Sequence, residues 1–158
     1  MNGSRETLVV GYDRSEASHH ALTVATDLAS RLGARLHVVH VVDLNDYPVD
    51  PDSADWEQRG LAELEDEFQV ANAALHDWSG EWTYDVQRGD PVHALADVAK
   101  REGALMIVVG TRGGGIGAAL GHLLGGSWSV SHGLERAGMP VLVVPAPSNG
   151  SGRRRHRG

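Results

Sequence analysis

Cysteine is absent from this 158-residue chain, which excludes disulfides, thiol catalysis and cysteine-bound zinc. Lysine is nearly absent. Lys100 is the only one, and it stands ahead of the wrong strand for a Walker-type phosphate loop. No apolar run approaches transmembrane length, and the first residues lack the charged-then-apolar pattern of a secretory leader. A cytoplasmic protein is therefore expected. Positive charge is scarce in the body of the chain. Of 14 basic residues, Arg153, Arg154, Arg155 and Arg157 crowd into the tail, leaving ten against 21 acidic residues. Such an acidic body argues against a dedicated nucleic-acid-binding domain. The length suits one domain with a proper core.

What is present alternates in type along the chain. Leu8–Tyr12 is a short apolar run closed by Asp13-Arg14-Ser15, a turn with N-cap chemistry. Ala21, Leu22, Ala25, Leu28, Ala29 and Leu32 then recur at helical steps, and Gly33 is placed to stop that helix. Leu36–Val42 is a second strand, followed by a polar, proline-containing connection over 43–55. The next helix sets Leu61, Leu64, Phe68, Ala71, Leu75 and Trp78 on one stripe. Glu63, Glu65, Asp66 and Glu67 are expected to face water. Trp82–Gln87 has the composition of a strand near a sheet edge.

Gly89-Asp90-Pro91 starts another helix, with Asp90 as N-cap and Pro91 at the first helical position. Val92, Leu95, Ala96 and Ala99 form its buried stripe, and Gly103 ends it. Ala104–Val109 reads as a buried strand, Ser127–Ala137 as a helix, and Met139–Pro145 as the last strand. Residues 1–147 are expected to form the domain. The Ser, Gly and Arg residues of 148–158 cannot bury apolar surface, and a disordered tail is expected there. Five strands alternating with four helices imply a doubly wound α/β parallel sheet with helices on both faces.

Such sheets bind ligands beyond the carboxyl ends of their strands, where strand order reverses. Asp13 and the glycine-rich stretch Gly110–Ser129 both follow strands on that edge. If the first and fourth strands are neighbours, the two face each other across one crevice. Glycines allow close backbone approach, and the helix start at Ser127 offers unpaired N–H groups to an anion. Ser127 or Ser129 can add a hydroxyl, and Arg112 can reach a phosphate. A nucleotide fits this arrangement, with Asp13 near its base. A dinucleotide fingerprint is excluded, because its glycines belong after the first strand with an acid about 20 residues later. The competing reading is a long surface loop whose glycines only permit a turn.

Val9-Val10-Gly11-Tyr12-Asp13-Arg14-Ser15, Gly89-Asp90-Pro91, Val108-Val109-Gly110-Thr111-Arg112-Gly113 and Gly126-Ser127 resemble the universal stress protein family, in order and over residues 6–145. The resemblance implies a five-stranded Rossmann-like sheet of strand order 3-2-1-4-5. It implies that Asp13 and the backbone at Val41 hold adenine. Gly110 and Gly113 would line the ribose and phosphates, and Gly126, Ser127 and Ser129 would take the phosphates. ATP, or ADP or AMP, is the implied ligand. Any Mg²⁺ would draw most of its ligands from the phosphates, as no acidic cluster lies near the loop. The family's ATP-binding pattern has nine residues between its second glycine and the Gly-Ser pair. Here residues 114–125 make twelve. The extra turn either keeps the loop ends in place or fills the crevice. Arg14 stands where the family often has glycine.

Two functions stay open on these grounds: a stress-response regulator that binds an adenine nucleotide, and a dimeric interaction module that binds none. Enzymes of the related pyrophosphatase type carry a Ser-Gly-Gly-x-Asp-Ser loop after the first strand, and Tyr12-Asp13-Arg14-Ser15 lacks its glycines. No general base pairs with a nucleophile, so at most slow ATP hydrolysis is expected. The continuously apolar Val141–Val144 is expected at a sheet edge, where it invites pairing. Family resemblance implies a homodimer through that strand, and no membrane partner is expected. His37 and His40 lie three apart on a strand and so face opposite sides, which excludes joint chelation of one metal. His19 and His20 read as a solvated helix start, and His122 as a solvent-exposed imidazole of the loop.

Overall fold

A computed structural model describes residues 5–13, 16–42, 56–110 and 138–145. Its elements are β1 (Thr7–Tyr12), α1 (Glu16–Leu32), β2 (Arg35–Val42), α2 (Trp56–Leu75), β3 (Trp82–Arg88), α3 (Pro91–Glu102), β4 (Met106–Gly110) and β5 (Val141–Val144). The strands form one sheet of order β3-β2-β1-β4-β5, parallel throughout. This is the doubly wound α/β fold with the expected order 3-2-1-4-5.

Central β1 is buried along its whole length, as a strand covered on both faces must be. Alternation along the strands divides the core in two. Leu8, Val10, Tyr12, Leu36, Val38 and Val108 pack against α1 and α2, whereas Val9, Val39, Val41, Ile107 and Val109 pack against α3. Asp90 caps α3 by accepting the His93 N–H at 3.0 Å, with Pro91 in the first turn. At the other end Gly103 adopts φ 60°, where its N–H closes the helix on the carbonyls of Ala99 and Lys100.

Three expectations need correction. Leu61 is 67% exposed, so it leaves the stripe, and Gly60 takes the buried position instead. Glu67 turns inward rather than to water, with its side chain only 15% exposed. The reason is helical phase: Glu67 is three residues after Leu64 and four before Ala71, squarely on the packed face. Finally, Ala104 and Leu105 precede β4, which starts at Met106 and runs on to Gly110. The polar connection 43–55, the helix expected over Ser127–Ala137 and the tail 148–158 lie outside the described residues.

Candidate functional site at the topological switch point

The chain winds outward from β1 through β2 to β3, then crosses back to lay β4 on the other side of β1. Strand order therefore reverses between β1 and β4, whose register pairs Val10 with Val108. Asp13 leaves the carboxyl end of β1, and Gly110 closes β4 on the same edge. In β2, His40 is the register partner of Tyr12, and Val41 follows it one residue further toward the same edge. Three of the expected site residues, Asp13, Val41 and Gly110, are thus brought to one edge by sheet topology. Arg112, Gly113, Gly126, Ser127 and Ser129, with His122, lie outside the described residues.

Each of the three has a physical setting. Asp13 is half-buried, and its N–H donates to Ser18 Oγ in the first turn of α1 at 2.8 Å. Val41 is buried with its side chain among the α3-facing core, leaving its backbone as the part nearest the edge. Gly110 lies against α1: a Cβ there would stand 2.7 Å from the carbonyl carbon and oxygen of Ala17. Its bare backbone thus lets the first turn of α1 close against the end of β4. That packing demand accounts for this glycine without any ligand.

Sequence reasoning missed the groups beneath this edge. His40 is buried and sits between two oxygens. Its Nδ1 is 3.1 Å from the Tyr12 carbonyl, and its Nε2 is 2.7 Å from Oε2 of Glu67 on α2. Burial opposes charge on this imidazole, but the hydrogen bond and attraction of Glu67 dominate, with help from the Tyr12 carbonyl and Asp13. The net effect raises its pKa above the ordinary histidine value. The available signal was periodicity: His40 shares the α2-facing side of β2 with Leu36 and Val38, and Glu67 shares the packed face of α2.

The remaining histidines divide by face. His37 points toward α3, bonded through Nδ1 to Thr83 Oγ1 and 3.8 Å from Asp85 Oδ2. It cannot meet His40 across the sheet, and among the described residues no three His, Asp or Glu side chains could hold a metal. His19 and His20 are half-buried rather than solvated. His19 meets the Tyr12 ring edge-on at 5.4 Å, and His20 Nδ1 lies 2.8 Å from the Pro145 carbonyl. Packing of α1 over β1 and the end of β5 explains both.

Known proteins resemble this chain in sequence and in architecture. The family model described as the universal stress protein family matches residues 4–145. A universal stress protein from Thermus aquaticus is 36% identical over 140 residues, covering 88% of this chain and 98% of that one. A family member of known structure from Burkholderia pseudomallei is 28% identical, with a TM-score of 0.63 over 91% of this chain and 99% of its own. A universal stress protein solved in complex with cAMP is 25% identical, with a TM-score of 0.59 over the same shares, 91% and 99%. No described helix is long and apolar enough to cross a membrane.

Proposed function

This chain belongs to the universal stress protein family, and we propose that it is a stress-response regulator that binds an adenine nucleotide, ATP in the first instance. The observation that supports this reading is that Asp13, Val41 and Gly110 all fall at the carboxyl ends of their strands, on the edge where strand order reverses. Asp13 supplies an acceptor suited to the base, Val41 a backbone beside it, and Gly110 the root of the glycine loop. A related protein of the same fold was solved with cAMP, which supports the ligand class. In this reading Gly113, Gly126, Ser127 and Ser129 take the phosphates, and Arg112 adds positive charge. Any Mg²⁺ arrives with the phosphates.

The first test is acid release of small molecules from the purified protein, followed by mass spectrometry. Near-stoichiometric ATP, ADP or AMP is expected. An empty protein that also takes up no added ATP would favour the dimeric interaction module, with the longer loop closing the crevice. If ATP is bound, Gly126→Leu is expected to abolish binding in calorimetry by blocking backbone approach.

The same reading includes a homodimer through β5. This strand is an edge of the sheet, and Leu142 and Val143 are 36% and 37% exposed there. An apolar edge with open backbone groups favours strand addition by a second copy. Light scattering at micromolar concentration is expected to give twice the chain mass.

A further inference from the structure

The His40–Glu67 pair lies where His40 pairs with Tyr12, the last residue of β1, and its contacts count protons. A carbonyl oxygen only accepts, so His40 Nδ1 must donate to Tyr12 across 3.1 Å. Nε2 stands 2.7 Å from Oε2 of Glu67, and a carboxylate oxygen, which carries only lone pairs, sits that close to a ring nitrogen only when that nitrogen holds a proton. A neutral imidazole has one N–H and cannot serve both. The arrangement is complete only with a second proton in the pair, as imidazolium with carboxylate. Both side chains are largely shielded, at 10% and 15% exposure, so water is poorly placed to replace either bond.

What the imidazolium grips matters more. The Tyr12 carbonyl and the Asp13 N–H belong to one peptide group. Its oxygen is held by His40 from β2, and its N–H by Ser18 Oγ from α1 at 2.8 Å. This plane sets the direction in which the chain leaves β1 and therefore where the Asp13 carboxylate stands. Glu67 in turn ties the grip to α2, so three elements converge on one peptide at the crevice.

We infer that His40 is a positioning residue for the nucleotide crevice: with both nitrogens protonated it fixes the Tyr12–Asp13 peptide between β2 and α1, so that nucleotide affinity follows the proton held with Glu67. This rests on the nucleotide-binding reading given above. The charged neighbours agree in sign. From α2 the facing group is Glu67, and from the end of β1 it is Asp13, both favouring the cation. From α1, His19 packs against the Tyr12 ring. In β3 the register partner of His40 is Val86, which does not titrate. Glu63 and Asp66 on α2 are exposed.

The test is calorimetric titration with ATP from about pH 6 to about pH 9, a range that brackets histidine titration. Wild-type affinity is expected to fall roughly fivefold to tenfold as pH rises, a coupling of ordinary size. Glu67→Gln removes the counter-charge while keeping a hydrogen-bonding group, so the midpoint of that fall should move to lower pH. His40→Gln should bind weakly with a flat profile, whereas His37→Gln should keep the wild-type profile. Wild-type affinity that does not change with pH, or a His40→Gln protein that matches wild type throughout, would overturn the inference.

NMR separates this inference from the reading on which it rests. In the nucleotide-free protein, the Asp13 amide resonance is expected to titrate together with the His40 ring, and to stop doing so in Ser18→Ala. If no ATP binds at any pH, the nucleotide reading fails and the amide titration alone decides the positioning role. An Asp13 amide indifferent to His40 titration then overturns it.

Discussion

Strand β2 offers the same side chain to both faces of the sheet, and the two faces treat it differently. His40 looks toward α2, where Glu67 is carried into the interface and meets it at 2.7 Å. His37 looks toward α3, where its nearest acid, Asp85, is 3.8 Å away. Asp85 is also engaged by Gln87 at 2.7 Å and Arg101 at 3.5 Å, and its side chain is 33% exposed. The cause is coverage. Helix α2 reaches β2 through Glu67 at His40 and β3 through Phe68, edge-on to Tyr84 at 5.2 Å. Helix α3 instead packs its apolar stripe on β1, β2 and β4, leaving the α3 side of edge strand β3 to Thr83, Asp85 and Gln87. A dry face turns an acid–imidazole contact into a commitment to charge. On the other face the acid is the more open partner and is shared with Gln87 and Arg101, which leaves the 3.8 Å contact a minor one.

The largest expected effect comes from breaking the dry pair. Glu67→Ala leaves the imidazole without its counter-charge, and the loss should reach about 3 kcal/mol in urea unfolding, as for a buried pair deprived of one partner. Next on that face, Gly110→Ala should cost roughly 2 kcal/mol, because its Cβ meets backbone atoms of Ala17 that cannot swing aside. On the α3 face, Asp90→Ala removes a cap and should cost about 1 kcal/mol by the same measurement. Asp85→Ala should change stability by no more than about 0.5 kcal/mol, given its exposure. Equal losses for Glu67→Ala and Asp85→Ala would remove the distinction between the faces.

Stability against pH sharpens the same distinction. The folded pKa of His40 is raised, so its contribution is fully present below the unfolded histidine value of about 6.5. It is lost as pH rises through the higher folded value. Thermal melts should therefore show wild type falling in Tm over that window, with the fall absent in His40→Gln and retained in His37→Gln. A wild-type Tm that rises across the window would contradict the sign.

Much of this was legible in the chain because it depends on local rules. Gly89-Asp90-Pro91 announces a capped helix from three residues alone, since cap geometry involves only neighbours. Alternating apolar runs and helical stripes specified a parallel α/β sheet, and topology then required Asp13 and Gly110 to share an edge. Opposite facing of His37 and His40 followed from the two-residue period of a strand. Glu67 was misjudged because charge was read ahead of phase. Its position lies on the buried stripe, and residue type alone suggested water. Ser18 gave no signal, because its partner, the Asp13 N–H, is fixed only once α1 packs over β1.

Periodicity determined the fold class and most of the described secondary structure, because hydrophobic burial imposes its period residue by residue, while short motifs such as Val9–Ser15 and Gly89-Asp90-Pro91 carried the family resemblance. Tertiary structure alone decided which polar groups lose their water. Desolvation depends on what a neighbouring element brings to the interface, and only the docking of α2 placed Glu67 against His40. That contact, and the proton it requires, belongs to the packed fold.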